Sequence, residues 1–193
     1  QVYWMNVKLY DKWIWIGYHP TLMPEVRKPI FQIILPVDDL IIQAVDSGGN
    51  PVGARFYVRD LENRIPPVEH YSRMGLLNLT QLPAGTYIVK AVNCSKLFDV
   101  CVESSGSFSL GNLSQIMLPL HSLSLKVLTV DGVELGNASV SLGPVSTLTD
   151  ERGSVIFAGI PEGAYRLRVA WRGVTVYDED VQVSKAISKK IVA

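Results

Sequence analysis

Residues 82–90 read LPAGTYIVK and residues 160–168 read IPEGAYRLR, one phrase written twice, 78 positions apart. A fainter third copy opens the chain, where QVYWMNVK puts Tyr3 in the slot of Tyr87 and Tyr165. The phrase has a physical reading. Proline cannot donate to a ladder, so Leu-Pro or Ile-Pro ends a strand. Gly85 and Gly163 are expected to supply the unusual backbone angles of the turn. The tyrosine two residues later points inward, burying its ring while its hydroxyl finds a partner. It is a fold signature and carries no chemistry.

The copies extend beyond the phrase. MGLLNLTQLPAGTYIVKAV (74–92) aligns without a gap on RGSVIFAGIPEGAYRLRVA (152–170). Upstream, LIIQAVDSGGNPVGARFYV (40–58) matches LSLKVLTVDGVELGNASVSL (123–142), and QIILPVDDL (32–40) matches QIMLPLHSL (115–123). The closing KKIVA resembles the same strand. Residues 1–36 then read as the C-terminal half of one repeat, and 37–119 and 120–193 as two whole ones. A period near eighty residues means tandem domains rather than a solenoid. A half-repeat implies a natural polypeptide longer than these 193 residues, or a missing half completed by another chain.

Each repeat reads as β. In YRLRVAW, Tyr165, Leu167, Val169 and Trp171 alternate with Arg166, Arg168 and Arg172 at period two. Turn signals recur at short intervals (DSGGNP, VDG, DERG, PEG, WRG), and no segment carries a helical stripe. Several short strands at this spacing predict tandem antiparallel β-sandwiches preceded by a half-domain.

A first strand, then VDSGGNPVGA, a Gly-led strand and LPAGTY resemble the carboxypeptidase-regulatory-like and collagen-adhesin B-type repeats of prokaryotic cell-surface proteins. The resemblance implies seven-stranded sandwiches of prealbumin-like or immunoglobulin-like type. Such domains serve as stalks, filament subunits, sugar-binding modules and enzyme appendages. Some adhesin repeats carry a Lys–Asn isopeptide bond assisted by an acid. Lys126 lies in a suitable first strand, but Val92 and Trp171 stand in the region of that acid, so no cross-link is expected.

Bulk composition narrows the function. Hydrophobic residues make up 48% of the chain and charged ones 19%, with a net charge of zero. That gives material for packed cores and no basic footprint for nucleic acid. No apolar run reaches the ~20 residues of a membrane-spanning helix. Four of the seven asparagines, Asn78, Asn93, Asn112 and Asn137, open N-x-[ST] sequons. Chance predicts about one, so N-glycosylation is expected. Cys94 and Cys101, seven apart, read as a disulfide across a hairpin, with two free buried thiols as the alternative. Glycans and a disulfide together place the chain outside the cell.

Other candidates are fewer. Trp13, Trp15 and Tyr18 form an aromatic cluster in YDKWIWIGYHP. It could stack on sugar rings, but a core face or a contact with a neighbouring repeat is the more ordinary reading. Asp38 and Asp39 at a repeat junction, and the run Asp178, Glu179, Asp180, are the places where structural Ca²⁺ could sit, although a solvated turn is favoured. No cofactor is called for. No nucleophile-elbow, zincin, P-loop or dinucleotide motif occurs, and His19, His70 and His121 fall in unrelated slots. The expected function is structural or adhesive, in a surface layer, stalk or filament. Its partners would be copies of itself or neighbouring domains, assembling by strand donation across the half-repeat. The alternative is a carbohydrate-binding or accessory module of a secreted enzyme, with the aromatic cluster as its platform.

Overall fold

A computed structural model describes residues 3–9, 12–18 and 37–192. The first two segments are strands β1 (Tyr3–Leu9) and β2 (Lys12–Tyr18), which pair antiparallel. Seven strands follow: β3 (Val37–Val45), β4 (Ala54–Asp60), β5 (Val68–Ser72), β6 (Leu76–Pro83), β7 (Thr86–Ser95), β8 (Val100–Ser109) and β9 (Ser114–Met117). They form one sheet in the order β6-β3-β9 and a second in the order β5-β4-β7-β8. Seven more repeat the plan: β10 (Leu120–Leu128), β11 (Ser139–Leu142), β12 (Val145–Leu148), β13 (Ser154–Pro161), β14 (Gly163–Trp171), β15 (Val174–Val183) and β16 (Ile187–Val192). Their sheets run β13-β10-β16 and β12-β11-β14-β15.

The sandwiches depart from an all-antiparallel plan at one place each. β3 pairs parallel with β9, and β10 with β16. The reason is arithmetic: when strands alternate up and down, the first and seventh run the same way, so placing them side by side forces a parallel pair.

Alternation along the strands fills two cores. Leu40, Ile42, Phe56, Leu77, Tyr87 and Val89 lead the first, and Leu123, Leu125, Val140, Phe157, Leu167 and Val169 lead the second. Leu120 lies beyond the repeat boundary expected at 119/120, yet it packs into the first core. β10 therefore begins in one sandwich and continues into the other.

The repeated phrase holds, with one correction. Pro83 and Pro161 end β6 and β13, and their carbonyls accept the hydroxyls of Tyr87 at 2.6 Å and Tyr165 at 2.8 Å. Gly85 and Gly163 do not adopt left-handed angles. Those angles fall just upstream, at Gln81 (φ 58°) and Gly159 (φ 67°), beside shifts in the β3–β6 and β10–β13 registers. At Gly85 the crowding comes from a side chain instead: a Cβ there would stand 1.8 Å from the Arg64 guanidinium, which would have to shift.

Among the buried polar residues, Thr149 ties a loop to the second core. Its Oγ1 accepts the Ala138 N–H at 2.9 Å and donates to the Leu135 carbonyl at 2.7 Å, with the side chain 2% exposed. Thr149→Val keeps the shape and strands both backbone groups. We expect a loss of about 1–3 kcal/mol in chemical denaturation; an unchanged midpoint would show that water replaces the hydroxyl.

Candidate functional site: the β7–β8 hairpin and the seam between sandwiches

β7 and β8 pair continuously from Thr86↔Ser109 to Ser95↔Val100, which sets Cys94 opposite Cys101. The two are joined by a disulfide, with Cα atoms 4.0 Å apart. Cross-strand neighbours project to one face of a hairpin, which brings the two sulfurs together. Beyond the bond lies a tight turn, residues 96–99, in which Asp99 takes φ 51°. Phe98 donates its N–H to Ser95 Oγ and turns its ring away from the first sandwich. The ring packs against the second core, edge-on to Tyr165 with centroids 5.3 Å apart.

A second contact crosses the same seam. In the β3–β4 loop, Asp46 Oδ1 accepts the N–H groups of Gly48 and Asn50. The loop so shaped lets Ser47 donate its N–H to the Leu120 carbonyl at 2.9 Å. Ser47 Oγ also lies 2.8 Å from His121 Nδ1. A serine hydroxyl on an imidazole is the pairing used in nucleophilic catalysis. Here His121 is 6% exposed and its Nε2 is buried without a partner. Among the described residues no third group bonds the ring, and the pair ties the β3–β4 loop to the start of β10.

The outer face of the β5-β4-β7-β8 sheet carries a depression of about 480 Å³, lined by Arg55, Tyr57, Tyr71, Asn93 and Lys96 among others. Of its lining charges Arg55 meets Glu69 at 2.5 Å, and elsewhere on the same sheet Lys90 meets Glu103 at 2.6 Å. At the opposite end of β4, Asp60 is fully buried and accepts N–H groups from Glu62, Arg64 and the Arg64 guanidinium. The guanidinium bonds lead in holding its carboxyl down to about 2, against the upward push of burial. The same guanidinium donates to the Ala84 carbonyl, clamping the LPAGTY turn.

The acidic residues also find partners. Asp178 is bonded by Arg166 at 2.6 Å and Arg168 at 3.1 Å, and Asp180 by Arg166 at 3.3 Å. The two arginines hold the Asp178 carboxyl below the usual range. Glu179 is lowered first by the Tyr177 hydroxyl and then by Lys189. Asp39 Oδ1 accepts the Gln81 N–H, and Asp38 Oδ1 the Asp39 N–H. Among the described residues no group of three or more His, Cys, Asp or Glu is placed to hold a metal ion.

The sequons are spread over both sandwiches. Asn78 is exposed on β6, Asn112 in the β8–β9 turn, and Asn137 in the β10–β11 loop at φ 57°. Asn93 differs: it is half-buried beside the disulfide, and its Nδ2 donates to the Gly53 carbonyl at 2.7 Å. Trp13, Trp15 and Tyr18 lie on β2, opposite Lys8, Asn6 and Tyr3, and their side chains fall outside the described residues. Sequence reasoning missed Phe98. The signal available was the length of its hairpin, which from Tyr87 to its partner Phe108 is five residues longer than the one from Tyr165 to Val181.

No protein-family model matches the sequence, and no curated protein does. Solved structures to which the chain is similar include the Bacillus anthracis TIE protein, at 21% identity and a TM-score of 0.34 over 82% of this chain and 34% of that one. The chain thus spans about a third of that protein's length. Another is the minor pilin GBS52 of Streptococcus agalactiae (17% identity, TM-score 0.34, 79% of this chain and 94% of that one). A third is BcpA, the major pilin subunit of Bacillus cereus (13% identity, TM-score 0.37, 81% and 69%).

Proposed function

We propose that the chain is a load-bearing segment of an extracellular, N-glycosylated structural or adhesive protein, built as a rod of β-sandwiches in a stalk, surface layer or filament. The observation that carries this reading is the disulfide-closed hairpin at a seam where the loops of one sandwich meet the first strand of the next. Disulfides persist in oxidising compartments, and a seam with hydrogen bonds and a ring contact suits a protein that spans distance. Strand donation belongs to the same reading: among the described strands β1 and β2 pair only with each other, and a strand with a free edge can accept another from a neighbour.

Glycan occupancy tests the placement. Asn78, Asn112 and Asn137 are expected to be modified in the native protein. Asn93 is expected to be bare, because its amide is engaged and its neighbour is held in the disulfide. Intact mass before and after glycan removal, with peptide mapping, reads all four. A native chain with no mass change would remove the extracellular assignment. Modification at Asn93 alone would overturn the link between exposure and occupancy.

A further inference from the structure

The hairpin that carries the disulfide is longer than its counterpart in the second sandwich, and the added residues are those that reach the seam. β14 and β15 are joined by residues 172–173 alone, with no cysteine on either strand, whereas β7 and β8 extend through Cys94 and Cys101 to a four-residue turn, 96–99. The only core cluster that Phe98 joins is that of the second sandwich. Its receptor is also distinctive. Tyr87 is fully buried in the first core, but Tyr165, which fills the same slot in the second, is partly open and takes the edge of Phe98. The Tyr165 ring is fixed from its own side by the hydroxyl bond to the Pro161 carbonyl and by Gly143 beneath it.

We infer that the disulfide-closed tip of β7–β8 is a strut that sets the angle between the two sandwiches, with Phe98 as its docking residue and Tyr165 as its receptor. The Cys94–Cys101 bond sits at the base of the tip and is not part of the first core, so it acts by keeping the turn in the shape that presents Phe98. A short hairpin extension without it would fray, as terminal turns do when few contacts hold them. The Ser47–Leu120 and Ser47–His121 contacts fix a second point of the seam. Two separated points resist both bending and rotation, whereas one point leaves a hinge.

The test uses the whole chain. Backbone residual dipolar couplings report the alignment of each sandwich separately. The native protein should give one alignment tensor for residues 37–119 and 122–192. Phe98→Ala should give two unequal tensors while each sandwich keeps its own amide spectrum. Cys94→Ser/Cys101→Ser should do the same with Phe98 in place. Leu97→Ala, at a neighbouring position that is 65% exposed, should leave a single tensor. A shared tensor in the Phe98 variant, or two tensors in the native chain, overturns the strut. Separation in the Phe98 variant without separation in the cysteine variant overturns the role given to the disulfide. None of these outcomes depends on whether the rod is glycosylated or belongs to a filament.

Discussion

Gly153→Ala is expected to unfold the second sandwich while leaving the first folded, and Gly75→Ala to do the reverse. Both glycines sit at left-handed angles, φ 69° and 68°, on the turn leading into the fourth strand of their sandwich. A side chain there costs about 1–2 kcal/mol in backbone strain alone. Steric overlap adds more. The new Cβ would stand 2.4 Å from the Val127 carbonyl oxygen at Gly153, and 2.0 Å from the Val52 carbonyl oxygen at Gly75. The Val127 oxygen cannot step aside freely. Val127 accepts from the Leu135 N–H, while its own N–H donates to the Gly153 carbonyl, so the clash and the ladder share atoms. The total should exceed ~4 kcal/mol, a large share of the 5–15 kcal/mol that holds a domain together. Gly132→Ala is the control, because φ is 81° but nothing lies within 4 Å. Its cost should be the strain alone, ~1–2 kcal/mol. Calorimetry resolving the two sandwiches would settle the point, and equal costs at Gly153 and Gly132 would show that the overlap relaxes.

Removing the Asp60 carboxylate should produce the second large loss. Asp60 is fully buried and gathers the guanidinium of Arg64 with two backbone N–H groups. Truncation to alanine takes the acceptor from both backbone N–H groups and leaves the guanidinium with the Ala84 carbonyl and the exposed Glu62 alone, and breaking a buried pair typically costs about 3–5 kcal/mol. The effect depends on pH with a defined sign. The folded-state value is about 2 against an ordinary 3.8, so the native state favours the charged form. That contribution, roughly 2 kcal/mol, is fully present above pH ~4 and drains away as pH falls through the folded value. Urea denaturation of the native protein and Asp60→Asn should differ most near neutrality and converge toward pH 2. A gap that stays constant across that range would mean that the geometry of the side chain matters and its charge does not.

Part of this was legible in the sequence. The duplicated phrase led directly to two sandwiches with the same strand order, because Pro83, Tyr87 and their counterparts act within four residues of one another. The disulfide was readable for the same reason. What stayed hidden depends on residues far apart. The neighbour that crowds position 85 is Arg64, twenty-one positions upstream across a loop, whereas a turn rule applied to neighbours looked to the backbone instead. The acidic run 178–180, read alone, is a solvated turn with a cation site as the lesser alternative. Drawn in register, Arg166 and Arg168 stand across the hairpin from it and take up its charge. Phe98 was invisible to alternation, since it packs on a sandwich other than its own.

Leu120 has a consequence for how such a chain can be divided. Its side chain completes the hydrophobic interior made by residues 37–118, while its strand goes on to build the next interior from Leu123 onward. A piece cut at 119 would lose a wall of its own core, and a piece starting at 120 would carry an orphan leucine on its surface. The separable part therefore runs past its formal boundary to His121, and the following part must give up the start of its first strand. Gene duplication or exchange that moved one sandwich alone would damage both products. Only exchanges that carry the shared leucine with the upstream module, and supply another for whatever follows, leave two sound domains.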